Sequence, residues 1–157
     1  MPSFLHIRTK KLPILDGEED EIVNPGMFGK SFAQFIETTL KKAGYDIPFI
    51  VCEDWGWWVE VKLPAKSIGI TCYRDHDENT ECEFVCSPSP EKDKIWNWSK
   101  FRFVDIGSEL AIIRKALRDA FEADPEIEFL GESDEMPLIG SSADDSGGQP
   151  TTRSDST

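Results

Sequence analysis

The stretch FIVCEDWGWWVEVKL, residues 49–63, decides the fold. Phe49-Ile50-Val51-Cys52 is a short apolar run of the kind that forms a buried strand. Trp57, Val59, Val61 and Leu63 then alternate with Trp58, Glu60 and Lys62, the two-residue period of a strand with one apolar face. Between the runs lies Asp54 to Gly56, whose glycine can take positive φ, so the chain is expected to fold back as a hairpin. Alternation directs Trp57 inward and Trp58 outward, which leaves Glu53, Asp54 and Trp55 at the tip.

Working outward, Ile68, Ile70 and Cys72 face one way in a third strand, as do Cys82, Phe84 and Cys86 in a fourth, with Glu81 and Glu83 opposite. The polar link Arg74 to Thr80 suits the tip of an antiparallel pair, so these strands form a meander that Pro88 and Pro90 bring to an end. Upstream, Asn24-Pro25-Gly26 reads as a capped start with proline at the first helical position. Phe28, Phe32, Phe35, Ile36, Leu40 and Ala43 then recur at helical spacing until Gly44, which predicts a helix over residues 25–43. Leu12 to Val23, with its run Glu18-Glu19-Asp20-Glu21, reads as an exposed connection. Phe4, His6 and Arg8 alternate with Leu5, Ile7 and Thr9 in a first strand.

The segment from Ile95 to Phe103 is aromatic without a period and is expected as loop or short strand. From Asp105, a plausible cap, Ile106, Leu110, Ile113, Leu117 and Phe121 mark the buried face of a second helix that Pro125 stops. Ile127 and Phe129 suit a short final strand. With helices early and late rather than after every strand, the class is α+β: a two-layer sandwich in which a mostly antiparallel sheet of four to six strands carries two helices on one face. Val59, Val61, Ile70, Cys72 and Phe84 should lie beneath the helices, and Trp58, Glu60, Lys62, Thr71 and Tyr73 on a partly exposed opposite face.

A chain of 157 residues with 39% apolar and 30% charged residues suits one soluble domain, expected over residues 1–130. Residues 131–157, rich in Ser, Asp and Gly, are expected as a disordered acidic tail. No apolar run is long enough to cross a bilayer, and the first residues lack a secretory pattern, so the cytoplasm is the expected compartment. Reduced thiols follow for Cys52, Cys72, Cys82 and Cys86. The net charge of −13 disfavours direct binding to nucleic acid and suits a basic protein partner, although such charge also serves solubility.

Three tryptophans beside two carboxylates in residues 53–58 exceed what a tight turn needs. They have two readings: rings covered by the segment around Trp96 and Trp98, or a binding surface formed by Glu53, Asp54, Trp55, Trp58, Trp96 and Trp98. Paired carboxylates beside aromatic rings also resemble a sugar-cleaving site, but adjacent strand positions face apart and would not flank one bond. Cys72, His76, Cys82 and Cys86 are atoms suited to zinc, yet C-x3-H-x5-C-x3-C is not a standard spacing, and the cysteines share the apolar face. A nucleophilic cysteine with His6 or His76 as base lacks a third orienting group. Phosphate-binding loops and the G-x-S-x-G turn are absent. Lys92, Lys94, Lys100 and Arg102 interleave with Trp96 and Trp98 but make too small a basic cluster to argue for single-stranded nucleic acid.

Asn24-Pro25-Gly26, Gly29, the helix end at Gly44-Tyr45, Glu53 to Trp58 and Ile68-Gly69-Ile70 together resemble a group of small uncharacterised bacterial proteins that share an E-D-W-G-W hairpin. The resemblance spans roughly residues 5–120. It implies a bacterial origin and one domain and carries over no catalytic residue. The expectation is a non-enzymatic acidic binding protein, immunity-protein-like or a small inhibitor, with no cofactor. The alternative is a small-ligand binder or enzyme with a tryptophan-lined pocket between the hairpin and residues 96–103.

Overall fold

The hairpin at residues 49–63 is present in the computed structural model, which describes residues 4–64, 66–75, 81–89, 94–97, 102–105 and 107–137. Strand β2 (Ile50–Glu53) turns through Asp54 and Trp55 into β3 (Gly56–Lys62). The chain continues through β4 (Ser67–Arg74) to β5 (Cys82–Ser89), each strand antiparallel to the one before. The first strand, β1 (Phe4–Thr9), then inserts beside β5, and the last, β8 (Ile127–Ser133), closes the far edge. The result is a six-stranded antiparallel sheet in the order β2-β3-β4-β5-β1-β8.

Register aligns the apolar faces. Trp57 lies opposite Cys72, Val59 opposite Ile70 and Val61 opposite Ile68, while Leu5 meets Cys86 and Ile7 meets Phe84. Over this face pack α1 (Lys30–Lys42) and α2 (Gly107–Ala123), whose Phe32, Ile36, Leu40, Leu110, Ile113, Leu117 and Phe121 share one buried cluster with Val59, Val61, Ile70, Cys72 and Phe84. Phe32 joins the layers, its ring centroid 5.0 Å from Phe84 and 6.2 Å from Phe121. Each such side chain stabilises the fold by about 1.5–3 kcal/mol through loss of apolar surface to water. On the opposite face Trp58, Glu60, Thr71 and Tyr73 are half-buried and Lys62 is exposed, as alternation predicts.

Helix α1 stops as expected. Gly44 has φ 96°, the Gly44 amide donates to Lys41 O at 3.1 Å, and the Tyr45 amide donates to Leu40 O at 3.0 Å, which together satisfy the last carbonyls. Its start is five residues later than the sequence predicts. Gly26 and Gly29 hold φ values of 84° and 150°, which a helix cannot contain, so Asn24-Pro25-Gly26 forms a turn instead. The cap comes from farther away. Glu18, in a short 3-10 turn (Glu18–Asp20), accepts the Gly29 and Lys30 amides on Oε1 at 2.7 and 2.8 Å, and the Leu15 amide on Oε2 at 2.9 Å. A carboxylate at a helix N-terminus meets both the unpaired amides and the positive end of the dipole. The acidic segment expected to be a solvated connection therefore includes a side chain only 1% exposed.

Other boundaries also move. Strand β5 runs through Pro88, which lies past the last described β1 pair, Leu5 with Cys86, so among the described residues one side of β5 is an edge there and tolerates proline. The run at residues 49–52 is an edge strand rather than a buried one, with Phe49 and Val51 exposed. The aperiodic aromatic segment contains an antiparallel pair apart from the main sheet, β6 (Lys94–Asn97) with β7 (Arg102–Asp105). Strand β8 continues to Ser133, past residue 131, where a tail was expected, while residues 138–157 and Ile106 lie outside the described residues.

Candidate functional site

The Glu53 to Trp58 turn is held from three sides. Glu53 pairs with Gly56, leaving a two-residue loop, and the Asn24 side chain donates to Asp54 O at 2.8 Å. Gly56 has φ 157°, and a Cβ there would lie 2.6 Å from the carbonyl oxygen of Cys72, so only glycine lets β3 approach β4. Trp57 enters the core, where its indole Nε1 donates to Met27 O at 2.9 Å and its ring packs on Gly29, whose absent Cβ would sit 3.1 Å from Trp57 Cδ1. Trp57 is thus a structural bolt between the hairpin and the turn before α1.

Trp58 goes to the opposite face, as predicted, and lies across Gly69. A Cβ on Gly69 would fall 1.8 Å from Trp58 Cζ2, so the indole occupies the place of the side chain that β4 omits. Its Nε1 donates to Glu60 Oε2 at 2.5 Å. Trp55 leans edge-on against Trp58, with centroids 6.0 Å apart at 72°, and against Tyr73 at 5.7 Å. Such aromatic pairs contribute roughly 0.5–1.5 kcal/mol beyond their buried area. Trp55 nevertheless remains 37% exposed, next to Glu53 and Asp54, which are also exposed.

Several carboxylates elsewhere among the described residues are paired with a cation. Glu21 pairs with Lys30, Glu37 with Lys41, Asp119 with Lys115, Glu122 with Arg118 and Glu128 with Arg8. Among the described residues, Glu53 and Asp54 have no such cation. Glu53 and Asp54 lie exposed on the hairpin rather than facing each other across a cleft, which leaves the glycosidase reading without support.

Sequence reasoning missed two members of this surface, Phe49 and Val51, which it read as buried. Val51 lies opposite Trp58, so Val51, Phe49 and Glu53 share the outer face with it, and Tyr73 joins them from β4. Phe49 is 50% exposed and Val51 37%. Their two-residue offset from Glu53 was a legible signal, but a continuous apolar run conceals it. Of the expected binding residues, Glu53, Asp54, Trp55 and Trp58 come together. Trp98 lies outside the described residues, as does the side chain of Trp96, which is known only as a backbone position opposite Phe103.

The thiols belong to the core. Cys72 sits opposite Cys86 on the helix-covered face, and burial pushes both thiols well up, so both stay protonated at neutral pH and make poor nucleophiles and poor metal ligands. Cys82 accepts from Arg74 Nη2 at 3.1 Å, and burial, together with the charges of Glu18, Glu53 and Asp54, raises Cys52. His76 lies outside the described residues, among which no group of three or more His, Cys, Asp or Glu side chains could hold a metal. His6 lies on the outer face, away from Cys72 and Cys86, with Nε2 3.6 Å from Glu83 Oε1. Burial lowers its pKa more than Glu83 raises it. A cysteine and His6 are therefore not brought together.

Lys92 and Lys100 are outside the described residues and only the backbone of Lys94 and Arg102 is described. A cleft of about 750 Å³ lies between the helix ends, lined by Phe35, Thr39, Ala116 and Ala120, on the helical layer rather than at the hairpin. No described helix is long and apolar enough to cross a membrane. No family model and no curated protein matches the chain.

Proposed function

We propose that this protein is a non-enzymatic binding protein that engages a protein partner through the β2–β3 hairpin, in the manner of an immunity protein or small inhibitor. The observation that carries the reading is Trp55, a large ring left 37% exposed on a turn beside two exposed carboxylates with no cation among the described residues. Aromatic rings are frequent anchors of interfaces, and a turn already clamped by Asn24, Trp57 and Gly56 loses little freedom on binding. The charge of −13 would speed encounter with a basic partner. A cytoplasmic setting agrees with four cysteines that are all free and buried.

Affinity capture from a native lysate, comparing the wild type with a Trp55→Ala, Asp54→Ala double variant, tests the reading. The expected outcome is a partner retained by the wild type and weakened roughly 30-fold or more in the variant, the size of an anchor residue's contribution. A partner held equally by both proteins, or none held specifically by either, overturns it.

A further inference from the structure

The outer face of the hairpin is specific about the chemistry that would cover it. Phe49, Val51 and Glu53 of β2 line up on that face at two-residue intervals, with Trp58 opposite Val51 and Trp55 at the tip. Phe49, Val51 and Trp55 are the exposed apolar members, and Glu53 and Asp54 adjoin Trp55 without cations among the described residues. β2 is also an edge of the sheet among the described residues, so no described strand lies beside it on that side. An apolar row that ends in two carboxylates with no cation among the described residues suits a ligand that is both basic and apolar. A second copy of this chain, equally negative, suits it poorly.

Resting on the binding function proposed above, we infer that the occupant is an arginine-bearing segment of the partner, with one guanidinium stacked on Trp55 between Glu53 and Asp54 and its apolar neighbours on Phe49 and Val51. The planar guanidinium can lie on an indole face and still direct its forked N–H groups to a carboxylate, which the compact ammonium of lysine cannot do equally well. Trp58 and Tyr73 brace the receiving ring from behind.

Three synthetic decapeptides of matched apolar content serve as probes, carrying three arginines, three lysines or three glutamates, and binding is followed by Trp emission and by shifts in the 15N–1H spectrum. The arginine peptide is expected to move the Trp55 indole and the amides of Phe49, Val51 and Glu53, to bind roughly fivefold more tightly than the lysine peptide, and to lose that margin in Trp55→Ala. Trp55→Phe should restore part of it. The inference is overturned if arginine and lysine peptides bind equally, if shifts spread over the whole acidic surface, or if Trp55→Ala leaves the margin intact. Concentration-dependent self-association of the wild type through the same residues would also overturn it in favour of a second copy. Lysate capture separates the two claims: a partner lost by the Trp55→Ala, Asp54→Ala variant, together with an indifferent arginine peptide, sinks this inference and leaves the binding function standing.

Discussion

At the start of α1, Glu18 is 1% exposed and its two oxygens accept three backbone amides, whereas at the hairpin tip Glu53 and Asp54 are open to water and have no cation among the described residues. Both stretches read as acidic runs beside a turn. What separates them is the supply of donors: the end of a helix offers unpaired amides in a fixed cluster, while a two-residue β turn uses its backbone groups in closing the hairpin. A carboxylate in the first setting is part of the fold, and one in the second is available to another molecule.

Glu18→Leu should break the first half of that comparison. It leaves the amides of Leu15, Gly29 and Lys30 without their acceptor, and a loss of roughly 3–5 kcal/mol in urea denaturation is expected, equivalent to about 10 °C in melting temperature. A loss below about 1 kcal/mol would mean that water replaces the carboxylate freely. Gly69→Ala comes next. Its Cβ would lie 1.8 Å from Trp58, so the indole must swing away at a cost of about 1–3 kcal/mol, and Trp55 loses the ring it leans on. Near-ultraviolet circular dichroism should change together with stability; an unaltered aromatic signal would contradict the packing described. The smallest effect belongs to Glu53→Gln with Asp54→Asn. Stability should stay within about 0.5 kcal/mol of the wild type, because neither charge has a cation partner among the described residues. A larger destabilisation would show that these carboxylates, like Glu18, belong to the fold.

The pattern of residues decided much of this in advance, and the reasons for its failures are physical. Two-residue alternation located β3 and divided Trp57 from Trp58, because one face of the sheet is buried and the other is not. Helical spacing found Leu110, Ile113, Leu117 and Phe121, and the positive φ available to glycine found the stop at Gly44. The partnership of Glu18 with Gly29 and Lys30 was hidden because it links positions eleven and twelve residues apart through a turn with no periodic signature. Phe49 and Val51 look buried in any local window. Their exposure depends on β2 being an edge, a property of strand order rather than of the strand. The part of the candidate site that alternates visibly, Trp58 with Tyr73, was therefore legible, and the part that depends on strand order, Phe49 and Val51, was not.

The sheet order also sets a timetable. Strands β2 to β5 pair with their neighbours in sequence and can assemble as they leave the ribosome, but β1, made before them, has its partners in β5 and β8. It must wait through most of synthesis with Leu5 and Ile7 exposed, and the pairing of Thr9 with Ile127 closes a loop of more than a hundred residues. During that interval the nascent chain presents a short apolar strand to whatever chaperones or neighbouring chains lie within reach.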